Sequence, residues 1–321
     1  SLANSDYSVA SKCEEIQQTD VLNSIDYSFL LGGNDKIRKL INTSKLRLGD
    51  IADCVTGFYS GDNRKFFVIN DPTIKGAEKY NIVDSNLIEY NWVKEKDILN
   101  GLANGKTFIP ILKGGAGRFF KDTNWFVLWD QKTVRFYKHD VAARFQNSQF
   151  YFREGIGVPM VSSKIQATLL SYRLFDQSVV GIFPKNHKDI DYLLAFLNSN
   201  VCTQIMRSIN HTANNSANYL KKLPLIINDV ARIKTGIVVK RYFTDNNLEK
   251  ALSEINAIFD DLYELDKIEH PIYASHCESA HVAEKGRHFK TRIRTVKISA
   301  KKRGESIARK RNRRRICRKV R

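Results

Sequence analysis

Residues 46–70 read LRLGDIADCVTGFYSGDNRKFFVIN, and the organisation of the chain is decided here. The stretch reads as a short strand, a glycine-marked loop and a second strand. Gly57 and Gly61 are placed to supply turn conformations, and Phe66-Phe67-Val68-Ile69 forms an apolar run suited to burial. Before it, residues 1–45 are polar and mixed, with IRKLI a short helical candidate and LLGGN a turn. After it, TFIPILKGGAGRFF is a β-rich run broken by glycines. NWFVLWD, YFREGIGVPMVSSKI and LFDQSVVGIFPK then supply further strand candidates.

Helical periodicity arrives late. IDYLLAFLNSNVCTQIMRSI places Leu193, Phe196, Leu197, Val201, Ile205 and Ile209 near i, i+3, i+4 spacing, which predicts one amphipathic helix. LPLII from Leu223 suggests a strand. LEKALSEINAIFDDLYELDKI is the strongest helix pattern, with Leu248, Leu252, Ile255, Phe259 and Leu262 stepping by four and three. A β-rich middle followed by helices predicts an α+β fold rather than a doubly wound sheet. Three regions are expected: 1–45 as a linker or the end of a preceding domain, 46–270 as the main domain, and 271–321 as a tail.

The chain has 321 residues and 42% hydrophobic composition, enough for a substantial core. No run reaches the roughly 18 to 20 apolar residues that span a bilayer, so no membrane partner is expected. No secretory leader is visible, and the five cysteines are scattered and odd in number; a cytoplasmic location is the expectation. The formal charge of +18 is local. Residues 281–321 hold 18 of the 52 basic and two of the 34 acidic residues, leaving 34 basic against 32 acidic in 1–280. Residues 281–321 have one aromatic residue, Phe289, and their composition predicts disorder. Such a segment binds phosphates without reading sequence, unless it is only a solvated end.

Enzymatic signatures are sparse. Lys113-Gly-Gly-Ala-Gly-Arg118 is the one glycine cluster, and no helix pattern follows it, as a nucleotide cradle requires. Glycines there allow close approach to a phosphate backbone, with Lys113 and Arg118 supplying charge; a β-turn with flanking cations is the other reading. His276, Cys277, His281, His288 and Cys317 match no closed zinc spacing, so no metal is expected. No catalytic residue is assigned.

Asn210–Leu225 reads NHTANNSANYLKKLPL, with four asparagines, a threonine and a serine between Asn210 and Asn218. Asparagine pairs bidentately with an adenine edge, and lysines hold register on phosphate. The same residues also cap helices and close turns.

The order LGDIADCVTGFYSGDNRKFF, FIPILKGGAGRFF, YFREGIGVPMVSSKI, LFDQSVVGIFPK, LLAFLNSN and NHTANNSANYLKKLPL resembles a target-recognition region. It is similar to the C-terminal, TaqI-like specificity domain of adenine-specific DNA methyltransferases from type II restriction–modification systems. INAIFDDLYELDKIE is similar to that family's closing helix, and the resemblance spans about Leu46 to Glu269. It implies double-stranded DNA as the partner. It also implies an upstream catalytic domain that binds S-adenosylmethionine and methylates the N6 amine of a flipped adenine. The family's Asn-Pro-Pro-Tyr-type loop has no counterpart here, since the chain contains no Pro-Pro dipeptide. No cofactor is therefore expected within this chain, and whether it forms part of an enzyme rests on the missing half. Resemblance and composition together single out four DNA-contacting loops. They are Thr56, Gly57, Asn63 and Lys65; Lys113, Gly114 and Arg118; Ser162, Ser163 and Lys164; and Asn214, Asn215, Ser216, Asn218 and Lys221. Two alternatives stand beside this reading. One is a specificity module of a type I system or a nuclease–methyltransferase fusion. The other, argued from the tail alone, is a basic RNA- or ribosome-associated protein.

Overall fold

A computed structural model describes residues 35–264, apart from 92, 115 and 116. The chain divides into two units, 1–271 and 272–321, and the described residues all lie in the first. The expected basic tail of 271–321, the first part of the expected linker and the end of the closing-helix pattern lie outside them.

The fold is α+β, built on two sheets. The first has the order β1 (Ala52–Thr56), β9 (Val179–Pro184), β6 (Gly155–Pro159), β7 (Thr168–Leu170), antiparallel throughout. The second runs β3 (Asn81–Ile82), β2 (Phe67–Ile69), β5 (Trp125–Leu128), β4 (Phe108–Leu112), β8 (Leu174–Phe175), with parallel pairings at its two edges. Early helices are short: α1 (Asp35–Thr43), α2 (Leu48–Ile51), α3 (Asn63–Phe66), α4 (Glu95–Asn100) and α5 (Gln131–His139). The late ones are α6 (Ile190–Asn198), α7 (Asn200–Ile209), α8 (Ala217–Leu220), α9 (Asp229–Asp245) and α10 (Leu248–Tyr263).

Two large cores form, and β7 and β9 of the first sheet also lend Leu170, Val179 and Phe183 to the second core. The first packs Ile156, Val158, Val180 and Ile182 against the late helices through Leu193, Phe196, Ile205, Ile255 and Phe259. Ile37 and Ile41 of α1 join this core, so the fold begins before Leu46. The second is aromatic: Phe58 meets Trp129 and Tyr137 edge-on at 5.2 and 4.9 Å between ring centroids. Edge-to-face pairs of this kind add to area burial because the ring edge is positive and the face negative.

The opening stretch forms two strands as expected, with two short helices around them. Leu48–Ile51 is helical rather than the start of the strand: Asp50 accepts from the Arg47 amide at 2.7 Å and closes one turn. Asp62 caps α3 by accepting from the amides of Arg64 and Lys65. Gly61 holds the left-handed conformation at φ 80°. Gly57 does not; its role is close approach, since a Cβ there would lie 2.2 Å from the Phe175 carbonyl oxygen.

Two further expectations are corrected, and one helix was not foreseen. The single helix over 190–209 is two. Ser199 breaks it by turning its hydroxyl to the Cys202 amide at 3.1 Å, which starts α7 afresh. The strand at Leu223 reduces to one bridge, Arg47 with Pro224, because proline brings no N–H to a ladder. The 17-residue α9 is the longest described helix, and its sequence shows little amphipathic pattern. Its apolar residues lie on two faces: Val238, Val239 and Tyr242 are buried, while Val230, Ile233 and Ile237 face outward.

Candidate nucleic-acid interface

Strand register brings the loops together. Thr56 pairs with Val180 and Pro159 with Val179, so the end of β1, the end of β6 and the start of β9 lie together at one end of the first sheet. Leu112, at the end of β4, pairs with Phe175 in the second sheet. The chain crosses from the second sheet to the first through the turn Asp176-Gln177-Ser178, between β8 and β9.

That turn is the hub of the site. The amide of Phe58 donates to the Phe175 carbonyl at 2.8 Å, and that of Gln177 donates back to Phe58 at 2.8 Å. Asp176 donates its amide to Leu112 at 2.9 Å, and Gly114 donates its amide to the Ser178 hydroxyl at 2.9 Å. Met160 donates to the Ser178 carbonyl at 2.8 Å. Three loops thus meet on three residues. The fourth joins through Met160, whose carbonyl accepts from the Asn215 amide at 2.7 Å, and through a bridge between Val161 and Asn214. Asp176 and Ser178 were not among the residues expected from the sequence. The signal was Asp-Gln-Ser between two apolar runs, a turn in which the Ser178 amide donates to Asp176 Oδ1 at 2.8 Å.

The loops differ in what they present. In the first, Thr56 and Gly57 sit at the hub. Their carbonyls accept from the amides of Asn147 and Gln146, each at 3.0 Å. Asn63 and Lys65 turn away. Asn63 accepts from the Ser60 hydroxyl at 2.8 Å, and the Lys65 ammonium lies 4.9 and 5.1 Å from the ring centroids of Phe66 and Phe136. In the second, Lys113 is caged rather than projected. Its ammonium sits 4.2 Å from the Trp125 centroid, with Tyr80 and Phe67 at 5.0 and 5.2 Å, and it donates to the Tyr80 hydroxyl at 3.1 Å. Arg118 donates to the Asn198 carbonyl at 2.7 Å, and burial pushes its pKa down. Both cations hold the loop in place. Lys121 does likewise, donating to the carbonyls of Lys113 and Gly114 at 3.0 Å each.

The third and fourth loops carry the accessible polar groups. Ser163, Lys164, Asn214, Asn218 and Lys221 are exposed, with Ser162 and Ser216 half-buried. Asn215 is wholly buried. Its amide nitrogen donates to the carbonyl of Pro159 and the hydroxyl of Ser162 at 3.1 and 3.0 Å, and its oxygen accepts from Arg207. The expected base contact by Asn215 is thereby corrected, because a side chain with both ends engaged inside the protein has nothing left for a groove. Asn210 is also structural, accepting from the amide and hydroxyl of Thr212 at 3.1 and 3.0 Å and donating to the Asn214 carbonyl at 2.8 Å. Short amides here build a loop that displays Asn214, and α8 directly after it displays Asn218.

Among the described residues no group of three or more His, Cys, Asp and Glu side chains is placed to hold a metal ion. No described helix is long and apolar enough to cross a membrane.

No family model matches this sequence. Over 134 residues the chain is 31% identical to an adenine-specific methyltransferase, PglX, of Lacticaseibacillus casei (strain Zhang). That match covers 37% of this chain and 11% of the relative, so the chain spans about a tenth of the length of the curated relative it matches.

Proposed function

We propose that residues 46–270 form the DNA target-recognition part of a site-specific adenine-N6 DNA methyltransferase of the restriction–modification kind. In this reading the loops grip and read the duplex. A separate catalytic domain, outside this chain, uses S-adenosylmethionine to methylate the extruded adenine. Chemistry on a base needs the duplex held while the base leaves the stack.

The meeting of three loops on the Asp176–Ser178 turn, with the fourth joined through Met160, carries this reading. It places the exposed Ser163, Lys164 and Asn214 on neighbouring segments that are fixed by hydrogen bonds to rigid strand ends. Asn218 and Lys221 follow on and just after α8. Amides and hydroxyls read base edges, and lysines anchor phosphates. The likeness to a sequence named as an adenine-specific methyltransferase supports adenine as the target base. The glycine loop after Leu112 leads to β5 rather than to a helix, so it does not provide a phosphate-binding helix N-terminus for the donor. In this reading the methyl donor belongs to the partner domain.

Selection from a randomised duplex pool tests the proposal. The full chain, alone and joined to a matching catalytic half, should enrich one sequence motif. Uniform recovery of the pool in both forms would overturn it. Removing residues 281–321 separates the RNA-binding alternative: a target reader keeps its motif and loses salt-sensitive background, whereas an RNA-tail protein loses binding altogether.

A further inference from the structure

Helix α9 buries Val238, Val239 and Tyr242 on one face and leaves an apolar stripe on the other. Val230, Ile233 and Ile237 are 59%, 64% and 59% exposed. Their spacing of three and four sets them in one line along the helix, which turns once in roughly 3.6 residues. At that pitch Lys234 and Lys240, both exposed, fall on opposite sides of the stripe. Lys240 also acts on the half-buried Asp191 of α6. The arginines of α9 are committed: Arg232 to Asp189 and Asp229 at 2.6 and 3.3 Å, and Arg241 to Glu254 at 2.6 Å. An apolar stripe flanked by lysines suits an apolar occupant that carries negative charge.

The chain itself supplies one. Residues 1–34, outside the described residues, carry Asp6, Glu14, Glu15, Asp20 and Asp26 against the single basic residue Lys12. Within them Leu22, Ile25 and Phe29 repeat the three-and-four spacing of the stripe. Their point of attachment is close. Tyr263, at the end of α10, donates its hydroxyl to the Pro224 carbonyl at 3.1 Å and accepts from the Ile226 amide at 3.2 Å, just before α9 begins at Asp229. The next residue, Glu264, accepts at its carbonyl from the Lys36 ammonium at 3.4 Å. The start of α1 therefore lies at the end of the α9–α10 pair from which the stripe runs. From Phe29 to Asp35 the chain can reach roughly 20 Å, against roughly 10 Å between Val230 and Ile237. Size points the same way. Three side chains fall short of the roughly 1,200 Å² that a stable complex of free partners buries, whereas a tethered segment is held at high effective concentration.

We infer that the outward stripe of α9 is the seat of residues 13–31 of this chain. Leu22, Ile25 and Phe29 cover the stripe, and the acidic side chains lie beside Lys234 and Lys240. None of the residues assigned to DNA takes part, so this surface stands or falls independently of the target-recognition reading.

The test uses the full chain with p-benzoylphenylalanine replacing Lys234, irradiated at low protein concentration without DNA. Peptide mapping of the crosslinked monomer should join position 234 to residues 13–31. The triple variant Leu22→Asp/Ile25→Asp/Phe29→Asp, in the same chain, should lose that crosslink. Hydrogen exchange gives a second readout without the probe. Amides of residues 13–31 should exchange faster in Ile233→Asp/Ile237→Asp than in the parent, with exchange in β6 unchanged; if β6 also exchanges faster, the crosslink map of the parent decides. Crosslinks confined to residues 265–321 would assign the face to the other end of the chain, and a crosslinked dimer would assign it to a second copy. Either result would overturn the inference, as would the absence of any protein crosslink or capture of 13–31 that survives the three aspartates.

Discussion

Arg207 donates from its guanidinium to the side-chain oxygen of Asn215, tying α7 to the loop that follows it. Asn215 has no exposed surface, and its nitrogen is spent on the Pro159 carbonyl and the Ser162 hydroxyl. Arg207 also donates to the Asn210 carbonyl at 3.4 Å, and burial pushes its pKa down. The two residues staple the third loop to the fourth.

Asn215→Ala should act on stability before it acts on recognition. It leaves the Arg207 guanidinium, the Pro159 carbonyl and the Ser162 hydroxyl short of a partner, at about 1–3 kcal/mol for an uncompensated buried group. Thermal unfolding should show a Tm several degrees lower. Cognate and random duplexes should lose affinity together once the folded fraction is matched. Selective loss on the cognate duplex would return Asn215 to the role of reader.

Lys164→Ala and Lys221→Ala remove exposed cations and leave the core untouched. Each should weaken binding to enriched and scrambled duplexes alike, and reduce the slope of log affinity against log salt by about one. Asn214→Ala and Asn218→Ala should leave that slope unchanged and relax the enriched motif by about 1–3 kcal/mol at a single base position. Titrations at several salt concentrations distinguish the two classes.

Gly57→Ala forces a Cβ to within 2.2 Å of the Phe175 carbonyl oxygen. Since backbone rather than a flexible side chain blocks it, the strand end must shift. We expect about 3 kcal/mol of destabilisation, read as a lower Tm, together with loosening of the turn that Phe58 and Phe175 share.

Burial pushes the Asp176 carboxyl above its ordinary 3.8, against hydrogen bonds from Ser178 and the charge of Lys113. Its Oδ2 has no hydrogen-bond partner. Between 3.8 and the raised value the folded state binds more protons than the unfolded one. Stability contributed by this group therefore falls as pH rises through that window. Asp176→Asn should melt higher than the parent near neutral pH, with the gap closing as pH falls toward 3.8. Melting curves across pH check the sign; a gap that widens on acidification would contradict it.

The fold class and most strands were legible in the residues themselves. Runs such as Phe108–Leu112 and Trp125–Leu128 are short, apolar and bounded by turn chemistry, and burial of such runs is a local imperative. The helix Leu248–Tyr263 announced itself by spacing, because one face is apolar. α9 did not, because apolar residues on both of its faces erase the period that reveals a helix. The division at Ser199 was equally hidden: whether a serine continues a helix or caps a new one turns on where its hydroxyl finds a partner.

Composition singled out the candidate segments without sorting their members. Nothing in the string NHTANNSAN separates Asn214, which is exposed, from Asn215, which is buried, since both are short amides in a loop. Nor does Lys113 announce that Trp125, Tyr80 and Phe67 will surround it. Local chemistry dictated which segments become strands, turns and loops, because backbone hydrogen bonding and apolar burial are settled over a few neighbours. Which polar groups face solvent depends on partners far along the chain, such as Arg207 for Asn215 and Ser178 for Gly114, and packing alone brought them together.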